Sequence, residues 1–305
     1  MHPHGMIDFH SHFFSAVFFE TLAKLSPQPG SVEEKLSRVA TKVGLELPNP
    51  SVAAHWQRWQ GELDRHGVER IVSFASVPEE APALAEAREL SQGRLIPFAL
   101  VNPLGDGAAD RARSLLTEKG FKGLLFFPAM HRFDPSCEQA MAVYEQVDAA
   151  RAVAVVHCGM LQVKIRDLLG IPRPYDFRHA DPLLLAPAAN RFKNATFVIP
   201  HFGAGMLRET LMLGSQCENV CVDSSSSNSW LDTQACDIDL AGVFRKAYQV
   251  FGGSRVLFGT DSSTFPRGWR KDLFDAQYAA LDRAGIPARA RDEIFVGNAK
   301  RLLAL

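Results

Sequence analysis

The chain has 305 residues, 47% hydrophobic and 22% charged, with 33 basic against 34 acidic side chains and a formal net charge of −1. That composition supports a large core and excludes a disordered chain, and the balanced charge leaves no excess for coating nucleic acid or an anionic membrane. No apolar run approaches the roughly 20 residues that cross a bilayer. The opening MHPHGMIDFHSH lacks the basic start and apolar stretch of a secretory signal, and five scattered cysteines make a poor disulfide framework. The expectation is a cytoplasmic protein with neither a nucleic-acid nor a membrane partner.

Eight short apolar runs follow one another along the chain: MIDFH (6–10), RIVSFAS (70–76), LIPFALV (95–101), GLLFFP (123–128), AVAVVHC (152–158), ATFVIPH (195–201), VCVDSS (220–225) and RVLFGTD (255–261). Each is rich in Val, Ile or Phe and almost continuous in hydrophobicity, as strands of a parallel sheet buried on both faces are. The stretches between them read as helices. SVAAHWQRWQGELDRHG carries Ser51 at the N-cap and Gly67 at the C-cap. PSCEQAMAVYEQVDAA has a start signal at Pro135-Ser136, and LAGVFRKAYQVFGG ends on two glycines. The tail PARARDEIFVGNAKRLLAL reads as a closing helix.

Strand then helix, eight times, predicts an α/β chain folded as a (β/α)8 TIM barrel, one domain over residues 1–305. An open doubly wound sheet would need a phosphate-binding glycine loop after its first strand, where this chain has His-Ser-His instead. Two connections are long, residues 13–50 after strand one and 159–194 after strand five. Both leave the C-terminal ends of strands, where such barrels keep their active sites, so they are expected to form walls or lids of a pocket.

Polar side chains collect at those strand ends. His10 and His12 end strand one, His157 strand five, His201 strand six and Asp261 strand eight. Two residues apart on a strand, His10 and His12 face the same way. Strand eight neighbours strand one in a closed barrel, which brings Asp261 beside the pair. Imidazoles with one carboxylate suit zinc and also Mn²⁺, Fe²⁺, Co²⁺ or Ni²⁺, and a position left for water describes a catalytic site.

The ordered set His-x-His, His, His, Asp, carried by MIDFHSH, VVHCG, FVIPHFGAG and FGTDSS together with VGNAKRLL near the end, resembles the amidohydrolase superfamily. The likeness is to the amidohydrolase-related branch that includes aminocarboxymuconate-semialdehyde decarboxylase, and it spans residues 6 to 303. The resemblance implies that His10, His12, His157 and Asp261 bind one divalent metal, Zn²⁺ first and Mn²⁺ or another transition metal next. It implies that His201 contacts the substrate or its attacking water and moves protons. A homodimer or larger homo-oligomer also follows from it. Two departures bear on the chemistry. Binuclear relatives carry a modified lysine at the end of strand four, where this chain has Leu125 and Phe127; Lys122 lies at the wrong end of that strand. The decarboxylases hold a substrate carboxylate with an arginine upstream of the strand-two helix, and the nearest here is Arg58.

The expected activity is hydrolysis of an amide, ester or lactone of a small carboxylated or aromatic molecule. Asp261 would accept a proton and His201 would stabilise the oxyanion. Non-oxidative decarboxylation of an unsaturated or aromatic acid is the alternative, and a barrel that binds metal or ligand without catalysis is the third. Candidate substrate contacts are Arg267 and Trp269 in STFPRGWRK, Arg58, His131 and Arg178. Asp223 and Ser225 are placed to support the ligands from behind. Cys158, next to His157, is expected to face away as a buried filler. FFSAVFF (13–19) is expected to give the site an aromatic preference. His2 and His4, ahead of the first strand, are not expected to bind a second metal.

Overall fold

The computed structural model describes residues 3–225 and 230–305. Its strands are β1 Met6–Ser11, β2 Val68–Ala75, β3 Leu95–Leu100, β4 Gly123–Phe126, β5 Val153–Val156, β6 Thr196–Ile199, β7 Val220–Asp223 and β8 Val256–Leu257. They stand in chain order, each parallel to the next. Between last and first, the amide of Phe9 donates to the Phe258 carbonyl, that of Asp261 to His10 and that of His12 to Ser262. These bonds close the sheet, and the fold is the (β/α)8 barrel expected from the strand–helix alternation.

The first half of the outer layer is α1 Ala16–Leu25, α2 Val32–Val43, α3 Val52–His66, α4 Ala81–Leu90, α5 Ala108–Thr117, α6 Pro128–His131 and α7 Glu138–Ala149. The second half is α8 Lys164–Leu168, α9 Ala186–Arg191, α10 Leu207–Gln216, α11 Leu240–Phe251, α12 Lys271–Arg283, α13 Ala288–Asp292 and α14 Asn298–Leu303. Helix α3 keeps its two sequence signals: the Ser51 side chain accepts from the Ala54 amide, and Gly67, at φ 67°, ends the helix in the left-handed region. The helix expected at Pro135-Ser136 begins later, at Glu138, because Asp134 Oδ1 accepts from both the amide and the hydroxyl of Ser136 and holds a turn there. A π turn over Glu293–Gly297 joins α13 to α14 within the expected closing helix.

Apolar side chains fill two layers. Ile7, Phe9, Phe74, Phe98, Leu125, Val155 and Leu257 pack inside the barrel, with Ala299 and Leu303 of α14 beneath them. Trp56, Trp59 and Leu63 of α3 pack in the outer layer with Phe126 and Phe197. The two long connections meet above the C-terminal ends of the strands. Phe18, Phe19, Leu22, Leu36 and Val39 from the first pack on Leu169 and Ile171 from the second. Ser26 Oγ donates to the Leu169 carbonyl at 2.6 Å and Gln28 Nε2 to that of Leu168 at 2.9 Å, so the roof is stapled by polar bonds as well. Among the described residues no helix is long and apolar enough to cross a membrane.

Candidate metal centre and its pocket

The centre begins with an irregularity in β1. Met6 packs in the outer layer, while Ile7 and Phe9 point into the barrel. Strict alternation would then send His10 outward. The β1–β2 register slips instead: Asp8 pairs with Ile71 and Ser11 with Ser73, three steps on one strand against two on the other. Such a bulge re-aims the side chains beyond it. His10 therefore lies 4.7 Å from the Phe74 ring inside the barrel, and His12 follows it at 5.5 Å from the same ring. The amide freed by the bulge is not orphaned, because His10 N donates to Asp8 Oδ1 at 3.0 Å. Asp8 also accepts from the Thr260 amide at 3.1 Å, so one buried carboxylate ties the two strand ends that carry His10 and Asp261. Gly259 makes room there: a Cβ on it would sit 2.7 Å from the His10 Cβ.

The imidazoles are oriented from behind. His10 Nδ1 donates to Asp223 Oδ2 at 2.8 Å, His12 Nδ1 to Ser76 Oγ at 2.9 Å and His201 Nδ1 to the Ser225 carbonyl at 2.8 Å. Ser76 in turn donates its hydroxyl to the Phe74 carbonyl, which leaves its oxygen free to accept. With every Nδ1 engaged, each working atom is Nε2. The His12 and His10 Nε2 atoms lie 3.1 Å and 3.8 Å from Asp261 Oδ1. Two imidazole lone pairs facing a carboxylate oxygen are a donor set for a divalent cation, and these three residues hold their ligand atoms within 4.8 Å of one another. A second grouping, His10 with His201 and Asp223, is already spent on internal hydrogen bonds. His157 lines the same cavity, with its ring 5.2 Å from that of His201.

Burial sets most of the protonation states. It pulls the pKa of His12, His157 and His201 below the usual histidine value and favours their neutral, ligating forms. For His10 burial acts the same way, but Asp223, together with Asp261 and Asp8, outweighs it and raises the pKa. Burial would raise Asp261, yet its closeness to His12 holds it far below the usual carboxylate range. Backbone strain gathers at the same place. His201 and Asp261 both sit at φ 57°, a region disfavoured for residues with a side chain. Hydrogen bonds hold both there: His201 N donates to Asp223 Oδ1 at 3.0 Å and Asp261 N to the His10 carbonyl at 2.8 Å.

The centre opens into a cavity of about 480 Å³, within the range of small-molecule sites. Phe14, Phe18, Phe19 and Phe127 give it aromatic walls, so FFSAVFF reaches the site as expected. Leu125 and Phe127, the strand-four positions where a bridging ligand would stand, line it as well. Of the expected substrate contacts, Arg267 is in the wall. The other four are corrected. Trp269 is buried outside the barrel, its Nε1 donating to Asp8 Oδ2 at 2.8 Å and its amide to Glu62, because a large ring with a single donor finds both burial and an acceptor there. Arg58 is drawn to Glu46 and lies over the Phe265 ring, 3.9 Å from its centroid. Arg178 is exposed and paired with Asp176 at 2.6 Å. His131 turns in behind the wall formed by Met130 and Arg166. Sequence reasoning passed over Arg166 and Lys164, which line the cavity from α8; they lie mid-loop, with no strand-end signal to mark them. Cys158 is buried in the outer layer. His2 lies outside the described residues.

The sequence profile of the family described as Amidohydrolase matches residues 7–305. No curated protein sequence matches the chain. Among solved structures it is similar to 5-carboxyvanillate decarboxylase from Sphingomonas paucimobilis, at 13% identity and a TM-score of 0.65 over 100% of both chains. It is also similar to a dihydroxybenzoic acid decarboxylase from a Polaromonas species with bound manganese and the inhibitor 2-nitroresorcinol, at 16% identity and a TM-score of 0.64 over 99% of this chain and 97% of that one. A third likeness, at 15% identity and a TM-score of 0.61 over 99% and 100%, is to a protein from Acinetobacter baumannii described as a 2-pyrone-4,6-dicarboxylic acid hydrolase. At these identities the likeness is one of fold.

Proposed function

The chain belongs to the amidohydrolase family, and on that premise we propose that it is a mononuclear metal-dependent hydrolase of an ester, lactone or amide on a small carboxylated aromatic molecule. The observation that carries this reading is the gathering of His10 Nε2, His12 Nε2 and Asp261 Oδ1 on the wall of an aromatic cavity, with the Nδ1 of each imidazole committed to the protein. His157, facing the same cavity, is the fourth ligand in this proposal. The ion is Zn²⁺, with Mn²⁺, present in the Polaromonas decarboxylase, as the alternative. When bound, such an ion supplies Lewis acidity and brings water near a pKa of about 7.

The chain's own groups do the rest. Phe14 stacks between His12 and Phe18, ring centroids 4.8 Å and 4.0 Å away, and gives a ring substrate an apolar edge beside the centre. Arg267, on the loop after Asp261, takes a substrate carboxylate. Asp261 Oδ1 faces the histidines, which leaves Oδ2 to accept the proton of the attacking water. His201, its Nδ1 proton fixed on Ser225, takes and returns protons at Nε2 and steadies the developing oxyanion once charged.

Decarboxylation of a ring acid is the second reading. It is favoured by the fold likeness to two aromatic-acid decarboxylases, and in it His201 delivers the proton to carbon. One experiment separates the two. The zinc- and manganese-loaded protein is incubated with 2-pyrone-4,6-dicarboxylate and with a panel of hydroxybenzoates, following ring opening by absorbance and CO₂ directly. Ring opening without CO₂ is expected; CO₂ release selects the second reading, and silence in both channels with metal bound rejects both. Asp261→Asn should lower the active rate by about 10²–10⁴-fold while the chain stays folded.

A further inference from the structure

The cavity holds more positive charge than its acidic groups balance. Lys164, Arg166 and Arg267 line it against a single wall carboxylate, Asp261, which faces the histidine pair. Among the described residues none of the three cations pairs with a carboxylate. Arg267 donates to Ser263 Oγ. The acids that flank Arg166 in sequence are taken, Asp167 by Arg173 and Asp176 by Arg178.

Arg166 stands in a corner of unusual chemistry. Its Nε is sealed from solvent without a hydrogen-bond partner, and so are His131 Nδ1 and the Tyr175 hydroxyl. The three are neighbours: burial first, and then the Arg166 charge, depress His131 to a pKa of about 4, and the same guanidinium acts on Tyr175. His131 is thereby neutral, so nothing on the protein side balances Arg166. A sealed polar group left without a partner is costly. Tyr175 lies close enough to Arg166 to bear on it, and Arg166, in the cavity wall, is the group that a partner from outside reaches. Water can satisfy such donors but leaves the charge uncompensated. A carboxylate answers both needs at Arg166, the one of the three that lines the cavity, because it accepts from the guanidinium and balances its charge.

Position separates this corner from the other cation. Arg166 is on α8, which follows β5, four strands around the ring of eight from β1. Arg267 follows β8, beside the centre. We propose that Arg166, backed by Tyr175 and His131, binds a second carboxylate of the substrate, on the opposite side of the molecule from the group held next to Asp261. The proposal rests on the reading above that the cavity takes a ring acid, and it narrows that class to dianionic ring acids with separated carboxylates.

The test measures binding and is independent of turnover. Benzene-1,3-dicarboxylate and benzoate are titrated calorimetrically into the metal-loaded wild type, Arg166→Met and Arg166→Lys proteins. The wild type should prefer the diacid by about tenfold or more, as one charge-assisted bidentate contact provides. Arg166→Met should erase that preference and change benzoate affinity by less than about twofold, the usual effect of a substitution that touches nothing else. Arg166→Lys should restore part of it. Equal preference in wild type and Arg166→Met, no preference in the wild type, or no diacid binding overturns the subsite. An Arg166-dependent preference in a protein that turns nothing over keeps the subsite and rejects the reaction. Turnover indifferent to Arg166 does the reverse.

Discussion

Asp223 is the residue on which most of the centre depends, although it does not itself line the cavity. Fully buried at the end of β7, it accepts from His10 Nδ1, the His201 amide and both the amide and hydroxyl of Ser225. One carboxylate thus orients a metal ligand and holds a proton-transfer residue in a strained left-handed conformation. Replacing it with alanine should lower metal affinity by about 10–100-fold, the usual effect of removing such a support. Competition against a chromophoric chelator measures this, and an unchanged affinity would remove Asp223 from the ligand support. Trp269 shows the opposite case. Two residues beyond Arg267 on the same loop, it serves the outer layer, because its indole N–H finds Asp8 there.

Among the elements, β1 and the connections leaving β1 and β2 decide the shape of the site. Glu80 joins those connections: its carboxylate accepts from the Ser15 amide at 2.6 Å and the Ser76 amide at 2.9 Å, and Ser76 holds His12. Glu80 is completely buried, and burial lifts its pKa from 4.5 to about 7. Between those values the folded chain binds more protons than the unfolded one. The contribution is fully present below pH 4.5 and is lost as pH rises to about 7. The loss amounts to roughly 3 kcal/mol. Glu80→Gln, which cannot ionise, should flatten this slope, lowering stability at pH 5 by about 1 kcal/mol for an imperfect hydrogen bond and leaving the variant the more stable protein at pH 8. Urea melts at pH 5 and pH 8 make the comparison; an undiminished slope would assign the pH dependence elsewhere. Gly159 shows why the roof cannot be rebuilt freely. At φ 70°, it lies against the next connection so closely that a Cβ would sit 2.1 Å from the Gly203 carbonyl oxygen.

At the scale of the whole molecule, the centre stands where the first and last strands of the barrel meet. His10 belongs to the first strand, His12 follows its end and Asp261 lies on the loop after the last, and three backbone hydrogen bonds close the barrel between them. An ion bound there bridges the first and last strands, so metal binding and global stability are coupled. At free metal about 100 times its Kd, the folded state gains about 2.7 kcal/mol. Calorimetry should therefore show one unfolding transition that moves to higher temperature with zinc or manganese and falls back with a chelator. A melting temperature indifferent to both would mean that the His10, His12 and Asp261 group binds no ion.

The eight apolar runs, their order and the amidohydrolase character were legible in the sequence because parallel strands buried on both faces cannot be disguised by polar residues. The caps of α3 were legible for a local reason, since a Ser side chain and a left-handed Gly act within a few residues of themselves. So was the set of polar side chains at strand ends, including the support from Asp223 and Ser225. That His10 and His12 share a face followed from their spacing. Which face they share did not: the bulge after Asp8 turns them inward, and it is stabilised by contacts with Thr260, some 250 residues away in the chain. The loop residues were the least legible. Arg267 and Trp269 read alike in sequence, and Arg166 carried no signal at all. Whether an arginine meets a carboxylate, an aromatic ring or an empty corner of a cavity depends on which loops pack together, and only the tertiary structure decides that.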